Sequence, residues 1–131
     1  MIGIDTNILV RFLVGDDVKQ ANKVYKLFKK AEDEKTELFV PSVVILELIW
    51  VLESAYGIDR SYIIDSINQL ILMPIFRFEN LSAIQNLIPK AQESKFDLSD
   101  MFIAHTAHAN GFETVFTFDK KASKYKLFKM L

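Results

Sequence analysis

The sequence predicts an α/β protein: a three-layer α/β/α sandwich around a central, mostly parallel sheet of four or five strands. Two observations point to it. Short apolar runs alternate with longer segments of helical periodicity along the whole chain, and connections of helix length between strands imply parallel pairing, because a tight turn serves only antiparallel neighbours. Two of the apolar runs also end in a carboxylate, Asp5 and Asp119, at the strand ends where open α/β sheets take their ligands. A length of 131 residues fits a single domain, residues 1–131, with one core.

Residues 2–5 form the first expected strand, and Thr6 to about Leu13 a short helix stopped by Gly15. Asp16 and Asp17 offer caps for a helix over about 17–34, with Ala21, Val24, Tyr25, Phe28 and Ala31 on its apolar face. Lys19, Lys23, Lys26 and Lys30 fall on the opposite face. They read either as a solvated surface or as a strip that contacts phosphates. Leu38–Val40 is the second strand, and Pro41 opens a helix over Ser42–Leu52 that is apolar nearly all round. Both faces of such a helix should be covered, one of them by a second subunit or a partner segment. Glu47 interrupts it. A buried carboxylate has to be paired, protonated or on a metal; the alternative is that Glu47 faces water at an edge.

A further helix runs from Asp59 or Ser61 to about Leu72, and Pro74 stops it before a third strand at Ile75–Phe78. The next helix, about Ser82 to Glu93, carries Pro89 inside its pattern and should kink or divide there. Asp97, Ser99 and Asp100 open a helix that continues to Gly111; Asp97 and Ser99 can cap it, and Asp100 lies in the first turn, where the helix dipole favours negative charge. His105 and His108, further along, read as packing or surface residues. Glu113 to Thr117 is the fourth strand, followed by Phe118 and Asp119. A basic tail follows, with a short helical turn and a last edge strand near Leu127-Phe128.

Composition narrows the function classes. There is no cysteine, which excludes disulfides, thiolate metal sites and cysteine nucleophiles. The net charge of −1 gives no global pull toward a polyanion, so nucleic acid would have to meet local lysines. No basic-then-apolar leader precedes the first strand, and the run Val43–Leu52 is too short to span a bilayer. A cytoplasmic protein without membrane association is the default expectation.

In a parallel sheet, strand ends and the starts of the following helices share one edge. Asp5, Glu47, Asp100 and Asp119 can therefore converge. Several carboxylates in one crevice repel one another, and the usual remedy is a hard cation with oxygen ligands, Mg²⁺ or Mn²⁺. Such an ion can polarise a phosphodiester and lower the pKa of a water.

Four stretches occur in order: Ile4-Asp5-Thr6-Asn7-Ile8-Leu9, Glu47-Leu48-Ile49-Trp50-Val51-Leu52, Asp100-Met101-Phe102-Ile103-Ala104 and Thr117-Phe118-Asp119. In these the chain resembles PIN-domain ribonucleases, specifically the VapC-type toxins of prokaryotic toxin–antitoxin pairs. The resemblance implies a Mg²⁺- or Mn²⁺-dependent endoribonuclease whose core acids are Asp5, Glu47 and Asp100, with Asp119 completing the site. It makes Asp5 and Asp100 the leading metal ligands, and Thr6, Asn7 and Thr117 polar supports, with Asp97 a cap first. It also implies an RNA substrate, a cognate antitoxin and a homodimer. Lys19, Lys23, Lys26, Lys30, Lys120 and Lys121 are the candidate RNA contacts.

Other folds with an acid after the first strand fit less well. A haloacid-dehalogenase-like phosphatase needs a second Asp where Asn7 stands, a receiver domain lacks its late lysine here, and a dinucleotide-binding domain needs a glycine-rich first turn. The non-enzymatic alternative is a catalytically weak PIN-like module that binds RNA or protein.

Overall fold

A computed structural model describes residues 2–131. Among the described residues the protein is α/β, with six α-helices and parallel strands. It forms two compact units, one ending at Glu79 and the other beginning at Asn80.

The N-terminal unit holds β1 (Ile2–Gly3), α1 (Thr6–Val14), α2 (Val18–Glu34), β2 (Leu38–Val40), α3 (Ser42–Ser54), α4 (Arg60–Ile71) and β3 (Phe76–Phe78). Its sheet has the order β1-β2-β3, with Ile2 opposite Leu38 and Leu38 opposite Phe76. Each crossover contains two helices. α1 packs against α2 and α3, and α3 packs against α4. Gly15 ends α1 at φ 68, the left-handed conformation that a side chain disfavours, and its N–H closes onto the Arg11 carbonyl. Asp17 rather than Asp16 caps α2, accepting from the Gln20 N–H. Asp16 instead pairs with Arg11 and accepts from the Tyr56 hydroxyl, tying α1 to the end of α3.

Four of the five apolar positions expected on α2 are buried; Tyr25 stays half open and meets Phe12 edge-on. Phe12, Phe28, Phe76 and Phe78 continue that contact as a chain of tilted and edge-to-face rings. Each such contact adds about 0.5–1.5 kcal/mol beyond area burial.

Within this chain α3 is covered on one face. Ile45, Leu48, Ile49 and Leu52 are fully buried, while Val43 and Trp50 are 72% and 60% exposed. Its start is secured from a distance: the Ser42 N–H donates to Glu79 Oε1 at 2.9 Å, which supplies the acceptor that Pro41 cannot offer from its side chain.

The C-terminal unit holds α5 (Leu81–Gln92), α6 (Leu98–Ala109), β4 (Val115–Thr117), a 3-10 turn (Ala122–Lys124) and β5 (Phe128–Met130). α5 packs along α6, and β4 pairs with β5 in parallel, Val115 opposite Phe128. The five expected strands are therefore present as a three-stranded and a two-stranded sheet. Pro89 does not divide α5. The helix runs on to Gln92 although Pro89, in its last turn, has no N–H to give the Gln85 carbonyl. Among the described residues no helix is long and apolar enough to cross a membrane.

Candidate active site

In the N-terminal unit Asp5 directly follows β1 and occupies the N-cap position of α1. Its backbone is extended and its side chain makes no capping hydrogen bond, although aspartate is among the residues that ordinarily do so. The carboxylate is exposed; Thr6 beside it is buried and Asn7 exposed. Glu47 lies on α3, the helix that packs against α1. Helical periodicity alone puts Glu47 in a helix covered all round. Its carboxylate is instead exposed, on the open stripe that carries Val43 and Trp50, and needs no buried partner.

The C-terminal unit gathers three acids on one cavity of about 610 Å³, lined by Asp97, Asp100 and Asp119 among others. Each is placed by local backbone chemistry. Asp97 caps α6, its Oδ1 accepting from the Asp100 N–H at 2.9 Å. Asp100 is thereby set in the first turn. Asp119 Oδ1 accepts from the Lys121 and Ala122 N–H groups at 2.8 and 3.0 Å and so starts the 3-10 turn. Thr117 Oγ1 accepts from the Asp119 N–H at 3.0 Å. Burial, then the charges of Asp97 and Asp119, push the Asp100 carboxyl above the usual carboxylate range.

The donors facing this cavity are all oxygen, the set that suits Mg²⁺ or Mn²⁺ rather than zinc. Among the described residues, neither unit by itself gathers three or more acid or imidazole side chains set to hold an ion. Asp97 and Asp119 both raise the Asp100 carboxyl by charge, after burial, and that part of the cost is what a cation would relieve.

The cavity brings in residues that sequence patterning did not single out. Lys95 and Lys124 join the expected Lys121, and Phe96, Tyr125 and Phe128 supply rings. Behind them His105 Nε2 and the Tyr125 hydroxyl lie 2.7 Å apart, both residues buried, at 4% and 7% exposure. His105 Nδ1 is buried without a partner. Burial, then the charges of His108, Lys126 and Lys90, lower the imidazole pKa, so the ring is held neutral. His105 thus packs, as expected, with a specific hydroxyl as its neighbour. Residues 95–96 and 124–128 join in space across a separation that periodicity cannot bridge. The only signal in the chain is the density of aromatic and lysine residues in the tail.

Lys19, Lys23, Lys26, Lys30 and Lys120 are all exposed, and Lys121 is exposed on the cavity rim. A cavity of about 680 Å³ in the N-terminal unit is lined by Phe12, Phe28, Glu37 and Ile75 among others. It sits where β2 and β3 begin, at the opposite edge of the sheet from Asp5, and holds none of the acids named above.

With that geometry in place, the comparison with known proteins has a clear outcome. A model of the PIN domain matches residues 2–127. The chain belongs to the PIN-domain family. It is also similar to a VapC ribonuclease of Aquifex aeolicus (strain VF5), with 26% identity over 121 residues that cover 92% of this chain and 89% of that protein.

Proposed function

We propose that this protein is a divalent-metal-dependent endoribonuclease that hydrolyses RNA phosphodiester bonds and acts as the toxin of a type II toxin–antitoxin pair. The observation that carries the reading is the crowding of Asp97, Asp100 and Asp119 on one cavity, with the Asp100 carboxyl pushed up. In a chain of this family, similar to a VapC ribonuclease, that crowding is an electrostatic cost that a cation removes.

Asp5, Glu47, Asp100 and Asp119 would hold Mg²⁺ or Mn²⁺. When bound, the ion supplies charge stabilisation at the phosphoryl oxygens and a more acidic water. The chain's own residues do the remainder. Thr117 and the turn after Asp119 fix that carboxylate's direction. Asp97 fixes the first turn of α6. An acid not engaged with the ion accepts the proton of the attacking water. The exposed lysines of α2 and of the tail hold the RNA backbone by charge. The open stripe of α3 supports a second copy or the antitoxin as its cover.

The test is cleavage of a labelled single-stranded RNA by the purified chain with Mg²⁺, with Mn²⁺ and with EDTA, beside growth arrest on expression. Asp5→Asn and Asp100→Asn are expected to lose cleavage and toxicity while keeping the fold. Toxicity retained with both acids removed rejects the mechanism. RNA binding without cutting, equal in the parent and in Asp5→Ala, marks a non-catalytic module instead.

A further inference from the structure

Helix α3 is the element whose sequence says least about which way it faces. Every residue from Val43 to Leu52 other than Glu47 is apolar. Burial is non-directional, so several rotations of such a helix about its axis would bury nearly the same apolar area. One residue position corresponds to a turn of about 100°. Glu47 forbids only the rotations that carry its carboxylate into the core. That leaves a wide range of directions, whereas side chains that share an ion have to be held to within about 0.5 Å.

Directional contacts supply what burial cannot. At the start of α3 the Ser42 N–H donates to Glu79 Oε1 at 2.9 Å. Glu79 directly follows β3, and its own N–H donates to the Val40 carbonyl of β2 at 3.0 Å. The carboxylate is therefore mounted on the sheet, beside the point where β2 gives way to α3. Pro41 makes no side-chain capping bond, so the contact with Glu79 holds the first turn, and its negative charge suits a helix N-terminus. Beyond the far end of α3, the Tyr56 N–H donates to the Val51 carbonyl at 3.3 Å. The Tyr56 hydroxyl accepts from Arg11 Nη1 at 3.1 Å and donates to Asp16 Oδ2 at 2.9 Å. Arg11 belongs to α1, the helix that Asp5 opens. Both ties, with Asp5 and Glu47, lie in the N-terminal unit. They pin one end of α3 to the sheet and the other to α1.

We propose that Glu79 is a positioning residue for Glu47: by holding the first turn of α3 on the sheet it sets the rotation of the helix, and so the direction in which the Glu47 carboxylate is offered to a metal ion. The inference rests on the ribonuclease reading, which makes Glu47 a ligand of that ion. Glu79 acts through α3 and is not itself a ligand. What the position requires is an acceptor for the Ser42 N–H, which a carboxamide oxygen provides and a methyl group does not.

The experiment takes two readouts on the full chain. Trp50 is the only tryptophan and stands on the same open stripe as Glu47, so its emission and its quenching by acrylamide report the rotation of α3 without any metal. Calorimetric titration with MnCl₂ reports how well the ion is held. Glu79→Ala is expected to shift the Trp50 emission and quenching and to weaken Mn²⁺ binding about tenfold. Glu79→Gln should match the parent in both. Ser42→Pro removes the donor at a position where a helix accepts proline, and should act as Glu79→Ala does. In a Glu47→Gln background Glu79→Ala should weaken Mn²⁺ binding no further, the mark of a residue that works through Glu47. Folded Glu79→Ala or Ser42→Pro chains with the parent's affinity overturn the proposal. So does a Glu79→Gln variant as impaired as Glu79→Ala, and so does a full further loss in the Glu47→Gln background. Cleavage separates the two readings. A parent that binds Mn²⁺ and cuts RNA while Glu79→Ala matches it in both readouts removes the Glu79 proposal alone. A parent that neither binds Mn²⁺ nor cuts, with Trp50 shifted in Glu79→Ala and unshifted in Glu79→Gln, removes the ribonuclease reading and keeps Glu79 as the residue that sets the direction of α3.

Discussion

The contact between His105 and Tyr125 makes a sharp prediction about stability. Tyr125→Phe removes one hydroxyl from a buried place and leaves His105 Nε2 without its 2.7 Å partner. His105 Nδ1 already lacks one, so the imidazole would be buried with both nitrogens unmade. Leaving one such group unsatisfied costs about 1–3 kcal/mol. For a chain of this length that is a fall in Tm of roughly 4–10 °C. His105→Leu removes both nitrogens together, and the double variant leaves neither partner to complain of the other's loss. The double variant should therefore be less destabilised than the sum of the singles, by about 1 kcal/mol. Acid gives a second reading of the same contact. The folded-state pKa of His105 lies below its unfolded value, so the unfolded chain binds the extra proton. The stability tied to this group is complete above about pH 6.5 and is lost as pH falls through the folded pKa. Urea titrations of the four proteins at pH 7.5 and at pH 5 measure both effects. Additivity within about 0.3 kcal/mol, or an acid loss unchanged in His105→Leu, refutes the reasoning.

Three other outcomes follow from the local chemistry. Gly15 and Lys35 both end helices in the left-handed region, at φ 68 and φ 54; Gly15→Ala should cost about 1 kcal/mol and Lys35→Gly should gain up to about 1 kcal/mol in thermal melts. In EDTA, Asp100→Asn should be more stable than the parent at pH 7 by a few tenths of a kcal/mol, the size of a like-charge pair one turn apart. The sign follows from the raised pKa of Asp100: the folded form holds the proton longer, so the parent's stability falls as pH rises through that pKa, and the two curves should meet near pH 3–4 in denaturation at graded pH. Asp119→Asn should keep the turn, because an amide oxygen can accept from Lys121 and Ala122 as the carboxylate does, yet lose cleavage; Asp119→Ala should lose the turn as well and cost about a further 1 kcal/mol in urea titrations.

Much of the architecture could be read directly from the chain because short-range chemistry decides it. The glycine after α1, the proline before α3 and the aspartate before α6 are signals confined to one turn, and those boundaries fall where the sequence expects them. Parallel pairing followed from the length of the connections. What escaped was set over longer distances. The carboxylate that completes the start of α3 is Glu79, 37 residues away from Ser42, and nothing near either residue announces it. The composition of α3 predicts cover on every side, but composition cannot tell a buried face from one awaiting a partner, and Val43, Glu47 and Trp50 remain open. The acids themselves were visible as acids at element ends. The pairing of the Phe96 and Tyr125 rings was not, because it depends on how the chain after β4 folds back to Phe96, ahead of α6.

The way the C-terminal acids are held bears on why they can stay crowded. A carboxylate that only bound a cation would swing away from its neighbours whenever the cation left. Asp97 and Asp119 cannot do so cheaply, because each has committed its Oδ1 to backbone N–H groups that would otherwise be unmade. The Asp100 carboxyl is raised above its ordinary pKa, first through burial and then through the charges of Asp97 and Asp119 beside it. The arrangement separates the roles. Two acids are fixed by the fold, and the third carries the unfavourable field. In the ribonuclease reading Asp100 is therefore the residue whose charge most needs the metal, and its substitution by Asn should stabilise the resting chain while removing its activity.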